Sequence, residues 1–502
     1  MYLPKCPNDR EKYLYVDQNK TYLYVFGVFS LLSLCAGMIF FSLADSSFTW
    51  YIAFPFVLLS YLGMSYSIGI FGQTFKYSEH WNTLKEWERR SYESIRATPI
   101  DVFLPVCGEP IEVLENTWKA VSELEWEFGI LSIYVLDDKG DPKLEAMAKE
   151  FGFNYLSRPN KGEMKKAGNL KYGFSRSKGK YILILDADFC PRPDYFKETV
   201  PWMELNPKTG IVQTPQYFCT TSSNGYVQKG AAYVQELFYR LIQVNRSTWG
   251  ASICVGTNAL YRRKALEPFG GTAQIGYSED LHTGFMLLQG GWVIKYLPIN
   301  LAAGLCPDDL KTFFTQQYRW AMGSTSLCFN KDFWTTKLNF WQRFSFLSGM
   351  IYYQATALGI FLSPLPAIMI LFLRPDLIHW YNWAFVIPSF IFSTLYMAMW
   401  SKSDFGWYAL SSRKASYYAH FFALLDKFTG DKMPWISTGA KSGRNMKFEY
   451  YRALIVVWSL ACFLAVAYGL YALNISMYDY NYWPLMFFTS LELIVSVLIF
   501  KK

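Results

Sequence analysis

Asp186 and Asp188, two residues apart in the stretch LDAD, follow an apolar run that reads as a buried strand. At a strand end two such carboxylates can share one hard cation, Mg2+ or Mn2+, that also binds phosphate oxygens. Taken alone, a DxD is equally compatible with a solvated turn. Asp137 and Asp138 close an earlier run, LSIYVLDD. Glu279 and Asp280, in GYSEDLHTGF, precede a helical pattern, where an acid in the first turn can be simply an N-cap. Lys166, before the glycine of KKAGNL, would neutralise a diphosphate or sit on the surface. In QQYRW, Arg319 stands between two aromatics just before the chain turns apolar again. Trp320 there could equally be an aromatic of a membrane interface. His282 has no partner at ligand spacing and reads as a satisfied or exposed histidine. A Walker lysine loop and a GxGxxG are both missing, which disfavours a P-loop ATPase and a dinucleotide oxidoreductase.

The elements that must position these residues alternate. PIDVFLPV, LSIYVLDD, FNYLSR and KYILILDAD read as strands, and 111–124, 142–151 and 165–177 as the helices between them. Such alternation predicts a mostly parallel α/β sheet with right-handed crossovers. The acids then lie at the carboxyl ends of strands, where open α/β sheets bind ligands.

The rest of the chain is built for lipid. Of 502 residues, 52% are hydrophobic, 19% aromatic and only 18% charged, too apolar for a soluble enzyme of this length. Apolar runs at 22–43, 50–71, 352–373, 382–400, 451–473 and 482–500 predict six transmembrane helices. The first run is too long for a signal-peptide core, so cleavage is not expected. Lys5, Arg10, Lys12 and Lys20 precede it, Lys501 and Lys502 follow the last run, and the short external loops contain only Arg374. Both termini, 72–351 and 401–450 are therefore expected on the cytoplasmic side of the plasma (inner) membrane. The net charge of +8 reflects this bias; without a basic stripe, nucleic-acid binding is not expected. The nine cysteines are scattered, without a CxxC pair, and are expected reduced. Asn474-Ile-Ser476 fits a glycosylation sequon but abuts a membrane run.

Taken in order, VCGEP (106–110), DD (137–138), KAGN (166–169), DAD (186–188), VQTPQYF (212–218), VGTNALYRR (255–263), SED (278–280) and QQYRW (316–320) resemble the processive family-2 glycosyltransferases. That group includes bacterial cellulose, curdlan, hyaluronan and chitin synthases. The resemblance covers about 60–500 and implies a GT-A-type domain inserted in a transmembrane helix bundle with amphipathic interface helices. The expected organisation is 1–75 (N-terminal segment and two membrane helices), 76–305 (glycosyltransferase domain), 306–350 (interface helices), 351–400 (two membrane helices), 401–450 (interface helix and gating loop) and 451–502 (two membrane helices).

It also implies roles. Asp280 would be the base; Cys107, Glu109, Asp138, Lys166, Asp186, Gln316 and Arg319 would bind UDP; Asp186 and Asp188 would hold Mg2+ or Mn2+. Val255, Gly256, Thr257, Glu279 and Trp320 would face the acceptor sugar. Tyr352, Tyr353, Trp383 and Trp458 could stack on sugar faces along an exit path or simply pack, and Glu492 should face the bundle or channel. The chain departs from the pattern in four places. Phe189 stands where histidine often follows DAD, and the acidic motif reads SED. WISTGAK (435–441) has one residue too many for the gating loop, leaving Trp435, Thr438 and Lys441 as its equivalents. A C-terminal cyclic-di-GMP domain is not expected after Lys502.

The implied activity is inverting, processive transfer from a UDP-sugar, UDP-glucose first, onto a β-glucan with export across the membrane, as in capsule or exopolysaccharide synthesis. Competing readings are a chitin- or hyaluronan-type synthase using UDP-N-acetylglucosamine, a non-processive lipid-carrier transferase, and a transporter with a nucleotide-binding domain. The last is disfavoured because neither internal repeats nor broken-helix pairs are evident. Linkage, oligomeric state and accessory subunits stay open.

Overall fold

The computed structural model describes residues 3–46, 55–93, 98–218, 220, 224–401, 406–430, 433, 446–476 and 478–499. Nine strands follow in chain order: β1 Ile100–Val106, β2 Leu131–Asp137, β3 Asn154–Leu156, β4 Tyr181–Ile184, β5 Cys190–Pro191, β6 Thr209–Gln213, β7 Ala259–Arg262, β8 Val293–Tyr296 and β9 Ala302–Ala303. Seven form one sheet in the order β3-β2-β1-β4-β7-β6-β8, and β5 pairs with β9. Within the seven-stranded sheet only β7 runs against its neighbours, β4 and β6, so the expected mostly parallel sheet is present.

The strands are near-continuous apolar runs because both faces are covered. Val102, Leu104, Val135 and Leu183 point into one core, while Phe103, Leu136, Ile182 and Ile184 point into the other, as the two-residue pleat requires. The intervening helices are Ile111–Ser122, Pro142–Glu150 and Lys165–Arg176, within two residues of expectation. Pro142–Glu150 starts where it does because Asp141 accepts from the Lys143 amide at 2.9 Å and Pro142 takes the first turn.

The N-terminal stretch, grouped by sequence with the first membrane helices, is docked on this domain instead. Tyr15 and Val16 join the same core as β1 and β4. Lys12 Nζ bonds Glu198 at 2.5 Å and Asp194 at 2.6 Å, and His80 Nε2 meets the second Glu198 oxygen at 2.5 Å. Asn300 donates to the carbonyls of Lys12 and Glu11, both at 2.8 Å. Burial would raise the Glu198 carboxyl, but its bonds to His80 and Lys12 outweigh that and hold it below the usual range.

Among the described residues five helical stretches are long and apolar enough to cross a membrane: Thr21–Ala44, Phe340–Leu373, Trp380–Ser401, Met446–Ala472 and Tyr480–Leu498. The run expected at 50–71 is described as the shorter helix Pro55–Ile70. The third span starts at Phe340, twelve residues before the expected 352, because Gln342 and Arg343 hide its first turns from a hydropathy reading. Pro364 and Pro366 interrupt it between Leu362 and Leu365. Two further long helices, Leu310–Cys328 and Trp407–Thr429, pack along each other. Glu492 faces the bundle, where its carboxylate pairs with Lys414.

Candidate active site

β1, β2 and β4 are parallel, so their carboxyl ends reach one edge of the sheet. There the backbone turns at Gly108, with φ +91°. Beyond that edge lies a cavity of about 470 Å³, closed by the start of Lys165–Arg176, residues 275–280 and Leu310–Cys328. Its wall contains Cys107, Glu109, Asp138, Lys166, Asp186, Asp188, Val255, Glu279, Asp280, Gln316, Arg319 and Trp320. These residues, from seven separate sequence motifs, thus converge on one space. Gly256 and Thr257, expected to face the acceptor, do not line the cavity. Gly256 gives its carbonyl to Lys166 Nζ at 2.8 Å, and the Thr257 hydroxyl accepts from the Asp186 amide at 2.8 Å. Trp435, Thr438 and Lys441 lie outside the described residues.

The loop 255–257 ties the acids together. Gln213, at the end of β6, is fully buried; it accepts from Val255 N at 2.9 Å and donates to the Thr257 carbonyl at 2.8 Å. A Cβ on Gly256, whose φ is +76°, would stand 2.9 Å from the Asp280 Cβ. Only glycine allows this approach of loop to acid. On the other side a Cβ on Gly323 would collide with the Ser278 hydroxyl, so Leu310–Cys328 lies directly against the SED turn. Asp309 caps that helix by accepting from Thr312 N at 3.0 Å, and the spacing of Gln316, Arg319 and Trp320 then puts all three on its cavity face.

The charges are strongly coupled. Burial, then Glu279 beside it, pushes the Asp280 carboxyl up to about 7. Burial, then Asp186, pushes Asp188 up to about 8. Burial also raises Glu109, although its carboxylate accepts from Cys107 N at 2.6 Å. For Lys166 burial alone would favour the neutral amine, but Asp186 at 2.5 Å and Glu279 at 3.9 Å overcome it and hold the ammonium charged. Burial lowers the Arg319 guanidinium, an effect moderated by Glu279, Asp186 and Asp280.

Asp186 and Asp188 suit a divalent cation: two hard oxygen donors two residues apart on the cavity wall. Among the described residues no group of three or more His, Cys, Asp or Glu forms a complete metal cage. A cation here would take its other ligands from phosphate oxygens and water, as Mg2+ commonly does. Phe189, at the position where the family often has histidine, is 3% exposed and packs edge-on against Phe218, and it offers a cation no ligand atom.

Asp138 reaches the cavity wall with its carboxylate already engaged. Arg158 donates to it at 2.5 and 2.9 Å and Gly162 N at 3.1 Å. Arg158 escaped the sequence reading because nothing local links it to an acid twenty residues away. Gln216 and Tyr318 also line the cavity and were unassigned, although both stand inside quoted motifs, VQTPQYF and QQYRW.

Residues 101–270 match the sequence family Glycosyl transferase family 2. The fold is shared with a solved mannosyltransferase of Pyrobaculum calidifontis in complex with GDP-Man and Mn2+, at TM-score 0.51 and 14% identity, over 71% of this chain and 97% of that one. Residues 101–270 thus form a family 2 glycosyltransferase domain of GT-A-type fold, in a chain whose other helices include five long and apolar enough to cross a membrane among the described residues. Within that class it is similar to bacterial cellulose synthases. It is 33% identical over 258 residues to cellulose synthase 1 of Komagataeibacter xylinus, covering 50% of this chain and 16% of that protein. It is 31% identical over 262 residues to the UDP-forming cellulose synthase catalytic subunit of Xanthomonas axonopodis pv. citri (strain 306), covering 51% and 35%. The chain matches well under two thirds of the length of either relative.

Proposed function

We propose that this chain is a processive, inverting β-glycan synthase that takes its sugar from a UDP-sugar, UDP-glucose first, and passes the growing polymer across the membrane. The observation that carries this reading is Asp280. Its carboxyl, poised near neutrality, shares one cavity with the Asp186–Asp188 turn on the donor side and Trp320 on the other.

Asp280 takes the proton from the acceptor hydroxyl as that oxygen attacks the anomeric carbon. The bond from that carbon to the UDP oxygen breaks, UDP leaves with the electron pair, and an α-linked donor gives a β-linkage. Lys166 and Arg319 neutralise the diphosphate, and Asp138, held by Arg158 and Gly162, shapes the nucleoside end. Asp186 and Asp188 would hold Mg2+ or Mn2+, which when bound supplies Lewis acidity to the departing diphosphate. Trp320 stacks on the acceptor sugar, fixing it for in-line attack. The loop 255–257 keeps Asp186 and Asp280 in register through Thr257 and Gly256.

Export is supported by a second cavity of about 450 Å³ between the membrane helices, whose wall includes Trp383, Trp458 and Glu492. The distribution of basic residues favours a cytoplasmic catalytic domain. Purified protein in nanodiscs, given UDP-glucose, UDP-N-acetylglucosamine, UDP-galactose or UDP-glucuronate with Mg2+ or Mn2+, should make high-molecular-weight product from one donor. Asp280→Asn should make none. UDP release only on addition of a lipid acceptor would overturn the polymerase reading, and an active Asp280→Asn would overturn the assignment of the base.

A further inference from the structure

Tyr318 sits in the catalytic helix immediately before Arg319 and Trp320 and itself lines the cavity. Its hydroxyl donates to Asp426 Oδ2 at 2.7 Å. Asp426 is 2% exposed and lies in the last turn of Trp407–Thr429. Its other oxygen accepts from the Tyr451 hydroxyl at 2.9 Å, and Lys447 Nζ reaches Oδ2 at 2.9 Å. Tyr451 and Lys447 belong to the first two turns of the membrane helix Met446–Ala472. Tyr451 does not line the cavity; its ring is clamped against Phe422 with centroids 3.5 Å apart and planes 5° from parallel. Phe314, one turn before Tyr318, contacts both of these rings.

One buried carboxylate therefore joins three helices, and its three donors come from the catalytic helix and the membrane span. A buried charge of this kind holds its donors to a narrow geometry, because each bond lost leaves a polar group without water. Any rotation or axial shift of Met446–Ala472 is passed through Tyr451 and Asp426 to Tyr318, and so to the two side chains that follow it. We propose that Asp426 is a positioning residue that registers Arg319 and Trp320 against the membrane bundle, so that the stance of the bundle sets the rate of transfer. This rests on the synthase reading for its meaning, but not for its test.

The test is Tyr451→Phe, with Tyr318→Phe, the double variant and, as control, Tyr450→Phe, whose side chain is on an exposed residue. UDP release is measured per folded molecule in nanodiscs, below the lowest melting midpoint, together with product length. The expectation is a roughly tenfold fall in turnover and shorter product for Tyr451→Phe and for Tyr318→Phe. The double variant should be no worse than the poorer single one, since both act through one carboxylate, and Tyr450→Phe should match the parent. A Tyr451→Phe enzyme with parental turnover and product length overturns the inference. So do two effects that multiply in the double variant. If the parent releases UDP without making polymer, the synthase reading falls while the turnover comparison still decides the role of Asp426.

Discussion

Replacing Asp280 by Asn should abolish transfer and at the same time stabilise the empty protein. The amide keeps the size of the carboxyl and can still accept from Leu281 N, now at 2.8 Å. What it removes is a charge that the folded protein disfavours. The folded carboxyl titrates at about 7 against an ordinary 3.8, so between those values the folded chain keeps a proton the unfolded chain has lost. For such a group stability falls as pH rises through that window. At ~1.4 kcal/mol per pH unit the cost approaches about 4 kcal/mol above pH 7, less whatever cavity water screens. Asp280→Asn lacks that cost at every pH. Its melting midpoint, followed by tryptophan fluorescence without donor or metal, should exceed the parent's clearly at pH 8 and by less than half as much at pH 5, where only the first part of the window has been crossed. The same titration makes turnover at pH 6 about a tenth of its alkaline plateau. Glu279→Gln, which removes the neighbouring charge, should move that profile to lower pH. A variant that melts no higher than the parent at pH 8, or a gap that does not widen from pH 5, would refute the argument that Asp280 is an uncomfortable charge.

Gly256→Ala should cut turnover at least tenfold while UDP binding by calorimetry is retained: the positive φ costs about 1–2 kcal/mol in a residue with a Cβ, and that Cβ displaces Asp280. Glu198→Gln should destabilise the protein by about 3–5 kcal/mol, because Lys12 stays buried with half its partners gone. Hydrogen exchange should then rise first at residues 4–16. In the parent the contribution of Glu198 is present above the ordinary carboxyl range and is lost as pH falls through its lowered value, so acid should release the same segment.

The sheet and the convergence of the acids were legible because they follow from local pattern: apolar runs ending in aspartates, separated by amphipathic helices. The start of the third membrane span was not, because Gln342 and Arg343 look like solvent residues until the fold gives them partners. Gln342 caps its own helix through Asn339, and Arg343 bonds the carbonyls of Phe333 and Thr336. The basic N-terminal residues were legible only as a topological signal. Their second role depends on partners such as Glu198 and Asn245, nearly two hundred residues or more distant. Thr257 and Gly256 were placed in the right loop but on the wrong side of it, since a motif reports which residues meet and not which way each one turns.

The docking of residues 4–16 also orders the biogenesis of the chain. This stretch leaves the ribosome well ahead of its partners Glu198, Tyr217 and Asn300, which are made only after Thr21–Ala44 and Pro55–Ile70. The catalytic core therefore cannot close in step with synthesis. It waits until Asn300 has emerged, and in that interval the unfinished apolar edge of the sheet is the part of the nascent chain most in need of a chaperone.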